Sequence, residues 1–330
     1  MRFYVDGWDP SYGTSMEIDD TAETVVAVRT DIEVATDQWA PIPVRALRQP
    51  SATVFVDGVR RIDARVWIDE PNHDHPERPA ADAGLGLCAS YGAGAVCCCS
   101  GRGAHFLEPR IRRGSFTIGS QAAPVKTWAG TYDARATALQ ESRGPAWSLS
   151  AALQTKLTEL ELQVAVDARE QLGAHGLGRG DELLVLDGPV RGRAHLSRVL
   201  GVIKSHQTAY LAPDLHRMVG SLQPRERTPV FLLDTAWDRY TWYLRLPCPP
   251  GHAWAGVVRI ECGTTIGVSE VLAYANLSQT VLPRFASEEY KDSRAPQNLY
   301  PVAGLERELR RRLGHAGLLY RALRQAAAAA

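Results

Sequence analysis

The chain has no excess of charge of either sign: 37 Lys and Arg residues balance 37 Asp and Glu over 330 residues. No global electrostatic pull toward nucleic acid or membrane follows, and any anion-binding surface must be local. No apolar run reaches the length that spans a bilayer. The opening Met1-Arg2-Phe3-Tyr4-Val5-Asp6 lacks the apolar core of a signal peptide. These absences predict a cytoplasmic protein that makes no use of a membrane. The six cysteines include no C-x-x-C pair. Cys97, Cys98 and Cys99 are consecutive, which is poor geometry for separate disulfides, and Cys88, Cys248 and Cys262 lie apart. No histidine stands at a regular spacing that would complete a zinc site, so the cysteines read as reduced, small core residues. There is no internal repeat of fixed period either, apart from one short unit that occurs twice.

That unit is an apolar run ending in Asp-Gly. It stands first at Thr53-Val54-Phe55-Val56-Asp57-Gly58 and again at Leu183-Leu184-Val185-Leu186-Asp187-Gly188-Pro189. Each copy predicts a carboxylate at the end of a buried strand, where burial is costly unless the charge is paired or bound to a cation. Asp57-Gly58 is also an ordinary turn dipeptide, and residues 51–69 read as a hairpin whose second strand alternates Ile62, Ala64, Val66 and Ile68.

The rest of the chain predicts an α/β fold. Residues 1–50 read as an accessory β segment, with short strands over 24–28 and 31–35. Residues 70–84 read as a surface loop. Strands are expected at 85–99, 110–118 and 125–132, with Arg102, Arg110, Arg112 and Arg113 near their ends as a solvated edge or a phosphate contact. A helix over 148–172 carries the stripe Leu153, Leu157, Leu160, Val164, Ala168 and Leu172. Glu161 lies in that stripe, whereas Glu159 and Glu170 point elsewhere. After the glycine-rich 173–180 come strands at 182–186 and 199–203, the latter delivering Lys204 and His206. A short helix at 213–222 follows, then strands at 229–233, 239–246 and 254–260. The aromatic residues Trp237, Tyr240, Trp242 and Tyr243 suit either a core or base stacking. A helix at 269–277, a polar loop at 288–301, a basic helix at 304–313, an amphipathic helix at 318–325 and a poly-Ala tail at 326–330 complete the chain.

Asp57, Glu161 and Asp187 together would be oxygen-only ligands, which suit Mg²⁺ or Mn²⁺ rather than zinc. Paired hard cations suit phosphodiester cleavage, one activating water and the other stabilising the leaving oxygen. Lys204 could neutralise charge at phosphorus. Two carboxylates could equally serve glycoside hydrolysis.

Four stretches taken in order sharpen this reading: Val54–Gly58, Leu184–Val190, Gly201–His206 and Tyr290–Pro301. With the glutamate helix between the two aspartates, the set resembles the NurA family of DNA-end-processing nucleases, most closely its bacterial branch, over roughly residues 51–325. The resemblance implies an RNase H-like mixed sheet flanked by helices, with added β segments. It also implies a Mn²⁺-dependent deoxyribonuclease (5′–3′ exonuclease and single-strand endonuclease) in double-strand-break end resection. A homodimer enclosing DNA and a HerA-type hexameric ATPase as partner are implied as well. By the same resemblance Asp57 and Asp187 match the metal ligands, Glu161 (or Glu159) the helix glutamate, Tyr300 the tyrosine before the late proline, and Lys204 the lysine after the strand. Lys204, Lys291, Arg294 and Gln297 are the expected DNA contacts. The sequence departs from the family in one place: Glu306 stands where many members carry a histidine, and His206 is a possible substitute proton donor. A catalytically weak, DNA-gripping adaptor of the ATPase is the alternative.

Overall fold

The computed structural model describes residues 27–70, 82–119, 122–174, 180–206, 208–234, 237–249 and 251–329. The expected strand at 24–28 and the loop at 70–84 therefore lie partly outside the described residues. The chain forms an α/β fold around a large mixed sheet. Its strands are β1 (Ala27–Arg29), β2 (Ala52–Glu70), β3 (Asp82–Cys99), β4 (Gly103–Ile118), β5 (Val125–Thr127), β6 (Gly130–Thr137), β7 (Leu183–Asp187), β8 (Val199–Ile203), β9 (Phe231–Asp234), β10 (Arg239–Arg245) and β11 (Val257–Gly263). The helices are α1 (Pro145–Ala174), α2 (Pro213–Ser221), α3 (Val268–Val281), α4 (Tyr300–Arg312) and α5 (Ala316–Ala328). Strand order is β1-β9-β10-β11-β8-β7-β2-β3-β4-β6-β5. None of the described helices is long and apolar enough to cross a membrane.

Two compact units share this chain. The first gathers residues up to Val56, Val96–His105 and Ala168–Gly304; the second gathers Asp57–Ala95, Phe106–Asp167 and the chain from Leu305 on. In the first unit β7 pairs in parallel with both β2 and β8, and β8, β11, β10, β9 and β1 continue as antiparallel neighbours. A strand with parallel neighbours on both sides is covered on both faces, and the four apolar residues of β7 are all buried. One face of this sheet packs Phe55, Val185, Val202, Trp242 and Ile260 against Val271, Tyr274 and Ala275 of α3 and Leu299 and Val302. The other packs Phe231, Leu233, Tyr243 and Val257 against Leu211, Val219 and Leu222 around α2. Trp242 and Tyr243 are thus core aromatics; Trp237 instead lies against the Arg239 guanidinium, 4.4 Å from its ring centroid.

α1, whose residues up to Asp167 belong to the second unit, buries the whole expected stripe from Leu153 to Leu172. Its start is tied by Ser148, whose hydroxyl donates to Gly144 O and accepts the Gln140 N–H. Cys88, Tyr132 and Leu323 form a smaller core with Ala64, Val66 and Val125. The residues 51–69 differ from the hairpin expectation. They belong to one uninterrupted 19-residue strand, so Asp57-Gly58 is no turn and Asp57 lies inside β2. A glycine within a strand marks a close approach, here of Glu161 and Leu157 to Gly58. Residues 31–35 are not a strand, and a short 3-10 turn follows at Thr36–Gln38.

Candidate functional site

In the first unit the site is built around the end of β7. Asp187 closes the strand, and Gly188 turns the chain at φ +116°, a conformation open to glycine. The turn is braced from behind. The Val190 N–H donates to Glu261 at 2.8 Å, and Glu261, fully buried, is held by Arg259 at 2.9 Å and Arg239 at 3.2 Å. A buried carboxylate without such partners would cost several kcal/mol, roughly. Close approach here also needs Gly201, where a Cβ would lie 2.6 Å from Gly188 O and 3.1 Å from Glu261 Cγ.

Lys204, one residue past β8, reaches back into this corner. Its ammonium donates to Asp187 Oδ2 at 2.6 Å and to Asn298 Oδ1 at 2.8 Å. The buried Asn298 donates through Nδ2 to Asp292 Oδ2 at 2.7 Å, and Asp292 Oδ1 accepts the Arg294 N–H at 2.8 Å. A continuous polar chain thus runs from the strand-end carboxylate into the late polar loop. Its charges are largely shielded from water, with Lys204 6% and Asp187 16% exposed, so each member matters more than an exposed pair would.

The loop sorts the other expected residues. Arg294 is turned inward and buried, its guanidinium 3.7 Å from Asp292. Gln297 is half-buried and donates to Val257 O at 3.4 Å. Both residues expected as DNA contacts are thus engaged with groups of the protein itself. Lys291 is exposed, 4.8 Å from the Tyr290 ring centroid and 5.2 Å from that of Tyr300, the first residue of α4. His206 sits between Tyr243 and Trp254 at ring distances of 5.9 and 5.0 Å. Its Nε2 lies 2.9 Å from Val257 O. A carbonyl only accepts, so this nitrogen carries a proton committed to the backbone.

The second unit holds the remaining acids. Asp57 is buried, and its Oδ1 accepts the N–H of Gly58 at 2.7 Å. A Cβ on Gly58 would lie 2.5 Å from Glu161 Oε1 and 2.7 Å from Leu157 Cδ1, so α1 lies against β2 at this residue. Glu161 is the inward acid of α1, 7% exposed. Glu159 is on the outer face in an ion pair with Lys156 at 2.7 Å. On α4 Glu306 is half-buried. Glu308 is instead paired with Arg311 and Arg312, whose hydrogen bonds pull its carboxyl down to about 2. Of the arginines near the strand ends, Arg110 pairs with Asp167 at 2.5 Å and Arg113 donates to Leu313 O at 3.5 Å.

Within the first unit, Cys97, Cys99 and His105 have the composition of a metal ligand set. This set departs from the expectation that no histidine accompanies the cysteines. His105 follows the three-residue turn after Cys99, a relation that spacing rules for regular zinc motifs overlook. Three residues of the first unit were not singled out from the sequence. Asn298 and Asp292 stood unremarked within the polar loop. Glu261 had one available signal: a lone acid in an apolar strand with Arg259 two residues earlier, hence on the same face.

No family model matches the chain, and no curated protein matches it in sequence.

Proposed function

We propose that the chain is a metal-dependent DNA nuclease that acts on DNA ends. The observation that carries this reading is the parallel register of β2 and β7, Thr53↔Leu183 through Val56↔Leu186. In both strands the next residue is the aspartate of the repeated apolar–Asp–Gly unit. Like carboxylates following paired residues of parallel strands are the pattern that a bound cation would offset, in addition to the Lys204 ammonium that already pairs with Asp187. The oxygen-only donors expected from the sequence, Asp57, Glu161 and Asp187, suit a hard ion, Mn²⁺ or Mg²⁺. Glu161 is the proposed third acid, steadying the Asp57-Gly58 backbone from α1. When bound, such a cation supplies Lewis-acid chemistry at the scissile phosphate and lowers the pKa of water.

The chain's own residues carry the rest. Lys204 pairs with Asp187 and orients it, and its third ammonium proton is available to a phosphate oxygen. Asn298 and Asp292 hold Lys204. Lys291 is the proposed backbone contact, with Tyr300 beneath it, while Arg294 and Gln297 set the shape of the loop that presents it. The RNase H-like character of the sheet, a homodimer, and a HerA-type ATPase that feeds DNA during end resection belong to the same proposal. The neutral net charge supports a motor partner, because weak intrinsic affinity for DNA would otherwise limit cutting.

One observation favours a second reading, a DNA-gripping adaptor that does not cut. The His206 Nε2 proton is engaged by Val257 O, and Glu306 replaces the family's histidine. Incubation of end-labelled linear DNA with Mn²⁺, Mg²⁺ or EDTA, with and without a HerA-type ATPase, separates the two. Metal-dependent cutting that Asp57→Ala abolishes supports the nuclease. Retained DNA or ATPase binding without cutting under every condition supports the adaptor.

A further inference from the structure

We propose that Cys97, Cys99 and His105 form a binding site for a thiophilic divalent cation, zinc in first place, at the turn between β3 and β4. The argument begins with strand alternation. Residues two apart point to one face of a strand, so Cys97 and Cys99 share a face while Cys98 takes the other, where it packs against the main hydrophobic core of the first unit. The turn over residues 100–102 then returns the chain. One ring nitrogen of His105 and the two sulfurs lie within 4.8 Å of one another. All three residues belong to the first compact unit.

The histidine supplies a second, independent observation. Its Nδ1 lies 3.2 Å from Gly103 O. The carbonyl only accepts, so Nδ1 carries the proton and Nε2 keeps its lone pair. That Nε2 is buried and has no hydrogen-bond partner, an arrangement that is unfavourable when nothing fills it. A backbone carbonyl behind Nδ1 is the usual outer support of a metal-bound imidazole, because it sets the tautomer and orients the ring. Two thiolates and an imidazole are zinc donors, and three protein ligands leave a fourth position for water. Hard Mn²⁺ would not choose these sulfurs, so the site is independent of the carboxylates and of the nuclease proposal. Each coordinated thiol releases one proton on binding.

The test uses the full-length chain, stripped of metal and titrated with Co²⁺ alone, then with Zn²⁺. One equivalent of cobalt should bind with a thiolate-to-cobalt charge-transfer band, and zinc should erase that band. Cys99→Ser should remove about half of the band, and His105→Ala should weaken cobalt binding by at least about tenfold. Cys98→Ser should leave both unchanged. Because Cys97 is fully buried, Cys97→Ser is accompanied by a readout on the wild-type chain. In that readout zinc should shield Cys99, but not Cys98, from alkylation measured by mass spectrometry. Absence of the band, a band insensitive to Cys99→Ser, or equal alkylation with and without zinc would each overturn the site.

Discussion

The two apolar–Asp–Gly units are close in sequence and opposite in structure. At the second copy the strand stops: Asp187 closes β7, and Gly188 is required for its backbone angle, φ +116°, with nothing within 4 Å of where its Cβ would be. At the first copy the strand runs on to Glu70, and Gly58 is required for space, because Glu161 and Leu157 would meet its Cβ. The aspartates differ in the same way. Asp187, half-buried, is ion-paired to Lys204, and the buried Asp57 accepts the N–H of its own neighbour. A short motif therefore specifies a buried strand and a carboxylate, but not whether the strand ends there. That depends on what packs against the glycine.

The largest effect should come from the aspartates. Under the nuclease reading Asp57→Ala and Asp187→Ala should each lower Mn²⁺-dependent DNA cleavage by at least about 100-fold, measured with end-labelled DNA. A large loss in one copy alone would break the equivalence of the two. Next comes Lys204→Ala, which strands Asp187 and deprives Asn298 of its donor. It should lower unfolding free energy by on the order of 3 kcal/mol in urea melts. Combining it with Asp187→Asn should restore part of that loss, and strict additivity would deny the pairing.

The glycines test space against conformation. Gly58→Ala should cost about 1–3 kcal/mol by overpacking. Leu157→Ala, which makes room, should reduce the penalty of adding the methyl group in a double-mutant cycle. Gly188→Ala should cost about 1 kcal/mol or more through backbone strain, and no neighbouring truncation should relieve it. Relief at both positions would erase the distinction drawn above.

The smallest effect lies where the two copies begin. Ser51, just before β2, donates through both its hydroxyl and its backbone N–H to Asp181, two residues before β7. The Ser51 hydroxyl is the main cause that holds the Asp181 carboxyl below its ordinary range. A depressed folded pKa contributes stability above the unfolded value, and that contribution is lost as pH falls through the folded one. Ser51→Ala should therefore cost about 1 kcal/mol near neutral pH. The difference from wild type should shrink below about pH 4, read from urea melts across pH. A gap that widened with acid would reverse the assignment.

Much of the scaffold was legible. Periodicity marked α1 through Leu153, Leu157, Leu160, Val164, Ala168 and Leu172, all buried. The near-continuous apolar run at 182–186 marked a central strand covered on both faces, and β7 does have parallel neighbours on both sides. The exposed Lys156–Glu159 pair leaves Glu161 as the inward acid, as its place in the stripe indicated. Less legible were contacts between residues far apart in the chain. Nothing local links Lys204 to Asn298, or Val190 to Glu261. The length of β2 was missed for a related reason: Asp-Gly favours a turn locally, and the packing of Leu157 against Gly58 overrides that preference.

The sequence by itself determined the elements whose signal is local: the period of α1, the apolar strands β7 and β8, the balanced charge, and the two apolar runs that each end in Asp-Gly. Only the tertiary structure decided which polar groups share a neighbourhood. It set Lys204 between Asp187 and Asn298, and buried Glu261 between two arginines. It also turned Arg294 inward and carried His105 beside Cys97 and Cys99. The physical reason is that periodicity follows from backbone geometry, repeated every few residues. The satisfaction of a buried charge or lone pair depends instead on whichever distant segment the fold brings within hydrogen-bonding distance.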